Sequence, residues 1–404
     1  MIPVVFLFDL DGVMVQPSGY RAAVRATVNH FARCMGLPDL APDDHTVAIF
    51  EAQGITCEWD MIPITLAILM DAAAAHAGQP LELNSLTEAC DRLRNCAIHG
   101  LRVEYAPVLR RLGQYLKPGE APAESLLALC SRGEGSGLFP RLTGQGVLRD
   151  LFMHTRRPAQ SQTTHLFETY VLGDRVFSET MGMRPVVETA SLLEQHDRPL
   201  LAAETRARLI EAAADGLRMA VYTARPSLPL LGSAEPLAVF APEAEMALNL
   251  IGMQWIPLIG SGQMGELALR LGENEDRLTK PAPYHALAAI AAAWLGDRSA
   301  AMAWVERLVL ARERGAPLNP AEPGALPDRL RLHVFEDSPS GMRGAQEAAR
   351  ILSEWGTRVE ISLWGIAEHP EKRAALAAAG AALFADVNQA VAAALEQAMP
   401  QTPA

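Results

Sequence analysis

Four carboxylates, one hydroxyl and one ammonium stand at or near the ends of apolar runs in this 404-residue chain, and their types could do chemistry together. Val4-Val5-Phe6-Leu7-Phe8 leads straight into Asp9-Leu10-Asp11-Gly12. On an extended chain residues i and i+2 project to the same side, so the Asp9 and Asp11 carboxylates are expected to converge. Two unit charges roughly 6 Å apart at an effective dielectric near 20 repel by about 3 kcal/mol. Such a pair asks for a metal, a shared proton, or both.

The elements that must position these groups can be read from periodicity. Residues 2–9 read as a central parallel strand, and the next short apolar run that closes on polar residues is 218–223. Between them the chain looks helical, with Ala- and Leu-rich patterns over 20–35, 62–76, 83–101 and 125–131 broken by Gly- and Pro-containing turns. This predicts a helical domain over 16–203 inserted into a core of 1–15 and 204–404. From residue 204 the pattern alternates: helix 204–215, strand 218–223, helix 242–252, strand 254–259, helix 283–295, strand 331–336, helix 341–354, strand 358–363 and helix 371–379. A short strand over 381–384 and a helix over 387–398 follow. Alternation of this kind predicts an α/β fold, a parallel sheet covered on both faces, with ligands outside the carboxyl ends of its strands.

Bulk composition narrows the function. Hydrophobic residues are 50% and charged residues 20%, as in a folded globular protein. A net charge of −12 with no run of Lys or Arg argues against nucleic acid as a partner. Five cysteines without a Cys-x-x-Cys pair fit packing residues in a reducing compartment. No membrane span is expected, because the uncharged apolar stretch 61–70 is bracketed by Asp60 and Asp71 and is too short to cross a bilayer. A cytoplasmic protein is the expectation.

The polar groups at the strand ends are Asp9 and Asp11, then Thr223, then Lys280 flanked by Pro281 and Pro283, then Glu336 and Asp337 followed by Ser338 and Gly341. Together they can hold a divalent cation through oxygens, cradle a phosphate and attack phosphorus with a carboxylate. In the segments Phe8-Asp9-Leu10-Asp11-Gly12-Val13, Tyr222-Thr223-Ala224, Lys280-Pro281 and Phe335-Glu336-Asp337-Ser338-Pro339-Ser340-Gly341 the chain resembles the haloacid dehalogenase superfamily, in its phosphatase branch with an inserted helical cap. The resemblance covers residues 1–15 and about 206–404 and implies a Rossmann-like core. It implies that Asp9 is the nucleophile and Asp11 the general acid and base. It also implies Mg²⁺ held by Asp9, the Asp11 backbone carbonyl and Asp337, with Glu336 acting through water or as an orienting group. Thr223 and the Ala224 amide would bind phosphate oxygens, and Lys280 would neutralise charge on phosphate and nucleophile. Arg225 either reaches a substrate anion or caps its loop. The substrate implied is a small phosphorylated metabolite.

Two features depart from the family pattern. The stretch after Asp337 reads Ser340-Gly341 where many relatives carry a further acid, which leaves hydrolysis and phosphomutase chemistry both open. The insertion is also more than twice the usual length, and a further extension with an Arg-rich helix over 302–314 and a Pro-rich loop over 317–327 separates Lys280 from Glu336. A non-catalytic binding protein on the same fold is the third reading, and the intact acid and lysine set argues against it. Gly260-Ser261-Gly262-Gln263-Met264-Gly265 matches the dinucleotide fingerprint in letters, but Lys280 stands about where that fingerprint needs an acid. In the insertion, Tyr170, Asp174 and Arg175 fit an amphipathic helix, and His154 and His165 lack partners at metal-ligand spacing.

Overall fold

Val4–Phe8 forms strand β1, and the alternation of its side chains builds a layer on each face. Val5 and Leu7 pack with Ala220, Tyr222 and Ile259 against the helices Pro283–Leu295, Arg298–Glu313 and Pro339–Glu354. Phe6 and Phe8 pack with Val221, Phe335 and Trp364 against the helices Ala203–Ala214, Glu243–Ile251 and Val387–Ala398. The Phe8 and Phe335 rings stack with centroids 4.5 Å apart. A computed structural model describes residues 2–116, 121–135, 137–232, 236–314 and 326–398.

In chain order the remaining strands are β2 (Val15–Gln16), β3 (Arg198–Pro199), β4 (Arg218–Tyr222), β5 (Leu258–Ile259), β6 (Arg329–Glu336), β7 (Arg358–Ile366) and β8 (Ala382–Phe384). Six of them form one parallel sheet in the order β5-β4-β1-β6-β7-β8. The fold is therefore α/β and Rossmann-like, with a helical region. The chain runs outward from β1 to β5 on one side and then returns to build β6, β7 and β8 on the other. β1 and β6 thus flank a topological switch point, where such sheets open a crevice at their carboxyl ends.

β2 and β3 were not legible in the sequence, because two residues each carry no periodicity. They pair antiparallel, Val15 with Pro199 and Gln16 with Arg198. The Leu200 N–H donates to the Met14 carbonyl at 2.9 Å, extending the ribbon. Asn388 fastens the returning segment to the core helix 387–398: its Oδ1 accepts from the Ala202 N–H at 2.8 Å, and its Nδ2 donates to the Leu200 carbonyl at 3.0 Å.

The chain divides into two compact units, one of residues 1–17, 197–235 and 239–404, the other of residues 18–196 with 236–238. Residues 197–203, expected within the insertion, group with the sheet. All regular elements described between 18 and 196 are helices. Several start at side-chain caps that satisfy orphan backbone donors, as Asp43, Ser85 and Ser161 do for the helices 44–52, 86–95 and 162–172. The helix expected over 83–101 is shorter for this reason: Ser85 caps its start, and it ends at Asn95. The segment holding Tyr170, Asp174 and Arg175 is two helices broken at Gly173 (φ 78°). Glu58–Ala77 is long and apolar enough to cross a membrane by length and composition, contrary to the expectation from 61–70, yet 72% of its apolar window is buried inside the protein. That burial is what the core helix of a bundle requires. The Pro-rich loop expected over 317–327 falls largely outside the described residues.

Candidate active site

Parallel register brings the acids level with one another. Phe8 is paired with Val221 on one side and Phe335 on the other, so the next residues along, Asp9, Tyr222 and Glu336, stand abreast. The Asp9 N–H donates to the Phe335 carbonyl at 2.9 Å, the last bond of that ladder. Carboxylate oxygens of Asp9, Glu336 and Asp337 all lie within 4.8 Å of one another.

Lys280 joins this trio from the loop before helix 283–295. Its Nζ lies 2.9 Å from Asp9 Oδ1 and 2.7 Å from Glu336 Oε1, and 3.8 Å from the centre of the Tyr222 ring. The Lys280-Pro281 peptide is cis. Burial alone would weaken the ammonium's hold on its proton, but Asp9 and Glu336 outweigh it and raise the lysine above its usual range.

Glu336 is the most committed of the three acids. Oε1 accepts from Lys280, while Oε2 accepts from the Ser338 N–H at 3.2 Å and its hydroxyl at 2.9 Å. Burial pushes its carboxyl up, but Lys280 and these hydrogen bonds together hold it below the ordinary value. This geometry suits an orienting group for Lys280 better than a ligand with free lone pairs. Asp9 goes the other way, raised well above the usual carboxylate range by burial first and by Glu336 next. Asp337 is raised to about 6, by burial and by Glu336, against the pull of Lys372, whose ammonium bonds Oδ2. Three crowded carboxylates against two ammonium groups form a hard-oxygen donor set short of positive charge, which suits a divalent cation on Asp9 and Asp337.

Two glycines make this crowding possible. A Cβ on Gly341 would sit 1.6 Å from Glu336 Oε1, and one on Gly12 would sit 2.1 Å from Asp337 Oδ2, at a φ of +71° that side chains resist.

Asp11 stands apart from the trio, because β1 ends at Phe8 and the rule of alternating directions ends with it. Its carboxylate is held by Arg225, whose Nε donates at 2.8 and 3.0 Å and whose Nη2 donates at 2.6 Å. Arg225 Nη2 also donates to Asp197 Oδ2 at 2.8 Å. With a side chain 1% exposed, Arg225 is turned inward onto these two carboxylates. Of the two expectations for Arg225, a substrate anion or a cap of its own loop, neither named these two carboxylates, which are the partners the structure gives it.

Thr223 follows β4, and its N–H extends the ladder to the Ile259 carbonyl at 3.0 Å. Its Oγ1 accepts from the Arg225 N–H at 3.1 Å, which leaves the hydroxyl proton to be donated elsewhere. Ala224 next to it is exposed. The fingerprint-like glycines support this loop: a Cβ on Gly262 would meet the Ser227 carbonyl oxygen at 1.6 Å, and the Gly262 N–H donates to Ser227 Oγ at 3.0 Å. Gln263 Oε1 accepts from Ser227 Oγ at 2.8 Å and from the Gly260 N–H at 2.6 Å. Close packing of loop on helix explains the glycines without a dinucleotide.

Within the helical unit, His165 bonds the Arg184 carbonyl and packs on Phe177, and Arg175 pairs with Glu179 on an exposed face. Sequence reasoning missed Asp197 and Lys372, and it named Tyr222 and Ser338 without giving either a role. Only Tyr222 and Ser338 carried a signal, by standing next to Thr223 and Asp337.

No family model matches the chain, and no curated protein matches it. Among solved structures, the chain is similar to an X-ray structure of Northeast Structural Genomics Consortium target ZR25, at 13% identity with a TM-score of 0.62, over 98% of this chain and 99% of that one. It is also similar to phosphatase Tt82 from Thermococcus thioreducens, at 13% identity with a TM-score of 0.46, over 97% of this chain and 99% of that one. At these identities the likeness to the first is one of fold alone.

Proposed function

We propose that the protein is a Mg²⁺-dependent hydrolase of small phosphate monoesters, a phosphatase of the haloacid dehalogenase type working through an aspartyl-phosphate. The observation that carries the reading is Lys280 Nζ bonded to both Asp9 and Glu336 beside a third carboxylate, Asp337, at the sheet's switch point. A structural ion pair needs one acid for one base; this cluster holds more acid than its lysines balance.

Mg²⁺ bound by Asp9 and Asp337 would keep Asp9 ionised and withdraw charge from phosphoryl oxygens. Asp9 then attacks phosphorus, forming the Asp9 O–P bond as the bond from phosphorus to the leaving oxygen breaks. Asp11 gives its proton to that oxygen. In the second half a water attacks the same phosphorus, Asp11 takes its proton, and Asp9 and inorganic phosphate are released. Thr223 and the Ala224 N–H donate to the phosphoryl oxygens, and Lys280 offsets charge that grows on them.

A screen of sugar phosphates, phosphoglycolate, nucleotides and p-nitrophenyl phosphate with Mg²⁺ tests this. Phosphate release should require the metal and be abolished in Asp9→Asn. Full activity in that variant would remove the nucleophile from the scheme, and a requirement for a bisphosphate activator with little phosphate released would point to a mutase.

A further inference from the structure

We propose that Arg225 and Asp197 form a positioning relay for Asp11, fixing the carboxylate that transfers the proton; the inference rests on the phosphatase reading above. Asp11 is 32% exposed at its side chain, and an aspartate so placed ordinarily exchanges rotamers in water. Here two nitrogens of one guanidinium grip it, and a planar fork fixes direction as well as distance, which an ammonium cannot do. The fork is itself fixed. Its backbone N–H is bonded to Thr223 and its carbonyl accepts from the Ser261 N–H at 3.0 Å. Asp197, 2% exposed, accepts at 2.8 Å from Nη2, the same nitrogen that donates to Asp11.

The position of Asp197 gives the relay its meaning. It is the first residue of the returning chain, immediately before β3, and β3 pairs with β2, the strand that follows Asp11. Arg225 therefore ties the acid on the outgoing segment to an anchor on the incoming one, across the ribbon at which the long helical insertion leaves and rejoins the core. Burying a guanidinium here costs desolvation, which two carboxylates offset. A substrate-binding arginine would instead keep its fork turned outward.

The test separates positioning from structure through the leaving group. Proton donation matters most when the departing oxygen is a poor leaving group, and least for p-nitrophenolate. Asp197→Asn keeps an acceptor oxygen, and Arg225→Lys keeps charge without the fork; both are checked for cooperative melting before assay. For the best alkyl phosphate found in the screen, kcat/KM, which reports only the steps up to departure of the alcohol and not the Asp11-assisted hydrolysis common to both esters, is expected to fall about 10- to 100-fold. For p-nitrophenyl phosphate the fall should stay under about threefold. Equal losses on both esters, or none, in a wild type that hydrolyses both would overturn the relay and leave the phosphatase reading intact. A wild type inactive on every phosphate ester with Mg²⁺ would overturn that reading and the relay with it.

Discussion

Two buried aspartates meet opposite surroundings. Asp60, inside the helical unit and fully buried, accepts from Arg156 Nη1 at 3.0 Å and from the Ala123 N–H at 3.1 Å on Oδ1, and from Arg156 Nη2 at 2.7 Å on Oδ2. Both oxygens are met by donors, and one guanidinium balances the charge. Asp9, at the end of β1, shares one lysine with Glu336 and faces Asp337 as well, and its carboxyl is raised well above the ordinary range. Burial of charge is common to both, so burial alone does not make a site. What differs is whether the protein supplies enough positive charge to finish the job.

The comparison breaks most sharply at Asp9. Asp9→Asn is expected to lower phosphate release by about 10⁴-fold while leaving the melting temperature in chelator unchanged or higher, since a neutral amide is spared the repulsion from Glu336. Calorimetry and a phosphate assay on the same sample check both halves. Asp60→Asn should do the reverse in kind, costing about 3–5 kcal/mol in urea unfolding by leaving Arg156 half-matched, with Mg²⁺ affinity unchanged.

A buried histidine sharpens the point from the side of neutral groups. His333 Nδ1 accepts from the Trp364 indole at 3.1 Å, and burial lowers its imidazolium to about 4, with Arg331 adding to it. The unfolded chain takes up this proton near pH 6.5 and the native one only near 4. The stability His333 contributes is thus full above pH 6.5 and is lost as pH falls from 6.5 towards 4, about 3 kcal/mol in all. Urea midpoints of wild type and His333→Asn across that window should converge as the pH drops. The smallest effect belongs to Lys372, 43% exposed and bonded to Asp337. An exposed pair is worth about 0–1 kcal/mol, so Lys372→Ala should tighten Mg²⁺ binding by no more than about fivefold in titration calorimetry.

How far the sequence could be read follows the same division. β1 and β4 announce themselves because a strand buried on both faces is a continuous apolar run, β6 and β7 by the buried apolar residues that close them, and helix 283–295 because Pro283 starts it and Gly296 ends it. The strand expected over 254–259 is only Leu258–Ile259, since Trp255 is 45% exposed and Pro257 cannot donate to a ladder. Helices 44–52, 105–112 and 146–152 are too short for periodicity to stand out from their loops. At the site, acids at strand ends are legible one at a time, whereas Arg225 with Asp197 and Lys372 with Asp337 are pairs that only tertiary structure brings together. Nothing within a few residues of Asp197 marks it.

The β2–β3 ribbon has a consequence for the chain's history and handling. Outgoing Gln16 and incoming Arg198 are ladder partners, so the two ends of roughly 180 residues are already side by side on the sheet's own scaffold. A segment admitted through so narrow a doorway can lengthen, shorten or be exchanged without asking any core strand to shift. The helical insertion is, in that sense, a cartridge in a socket.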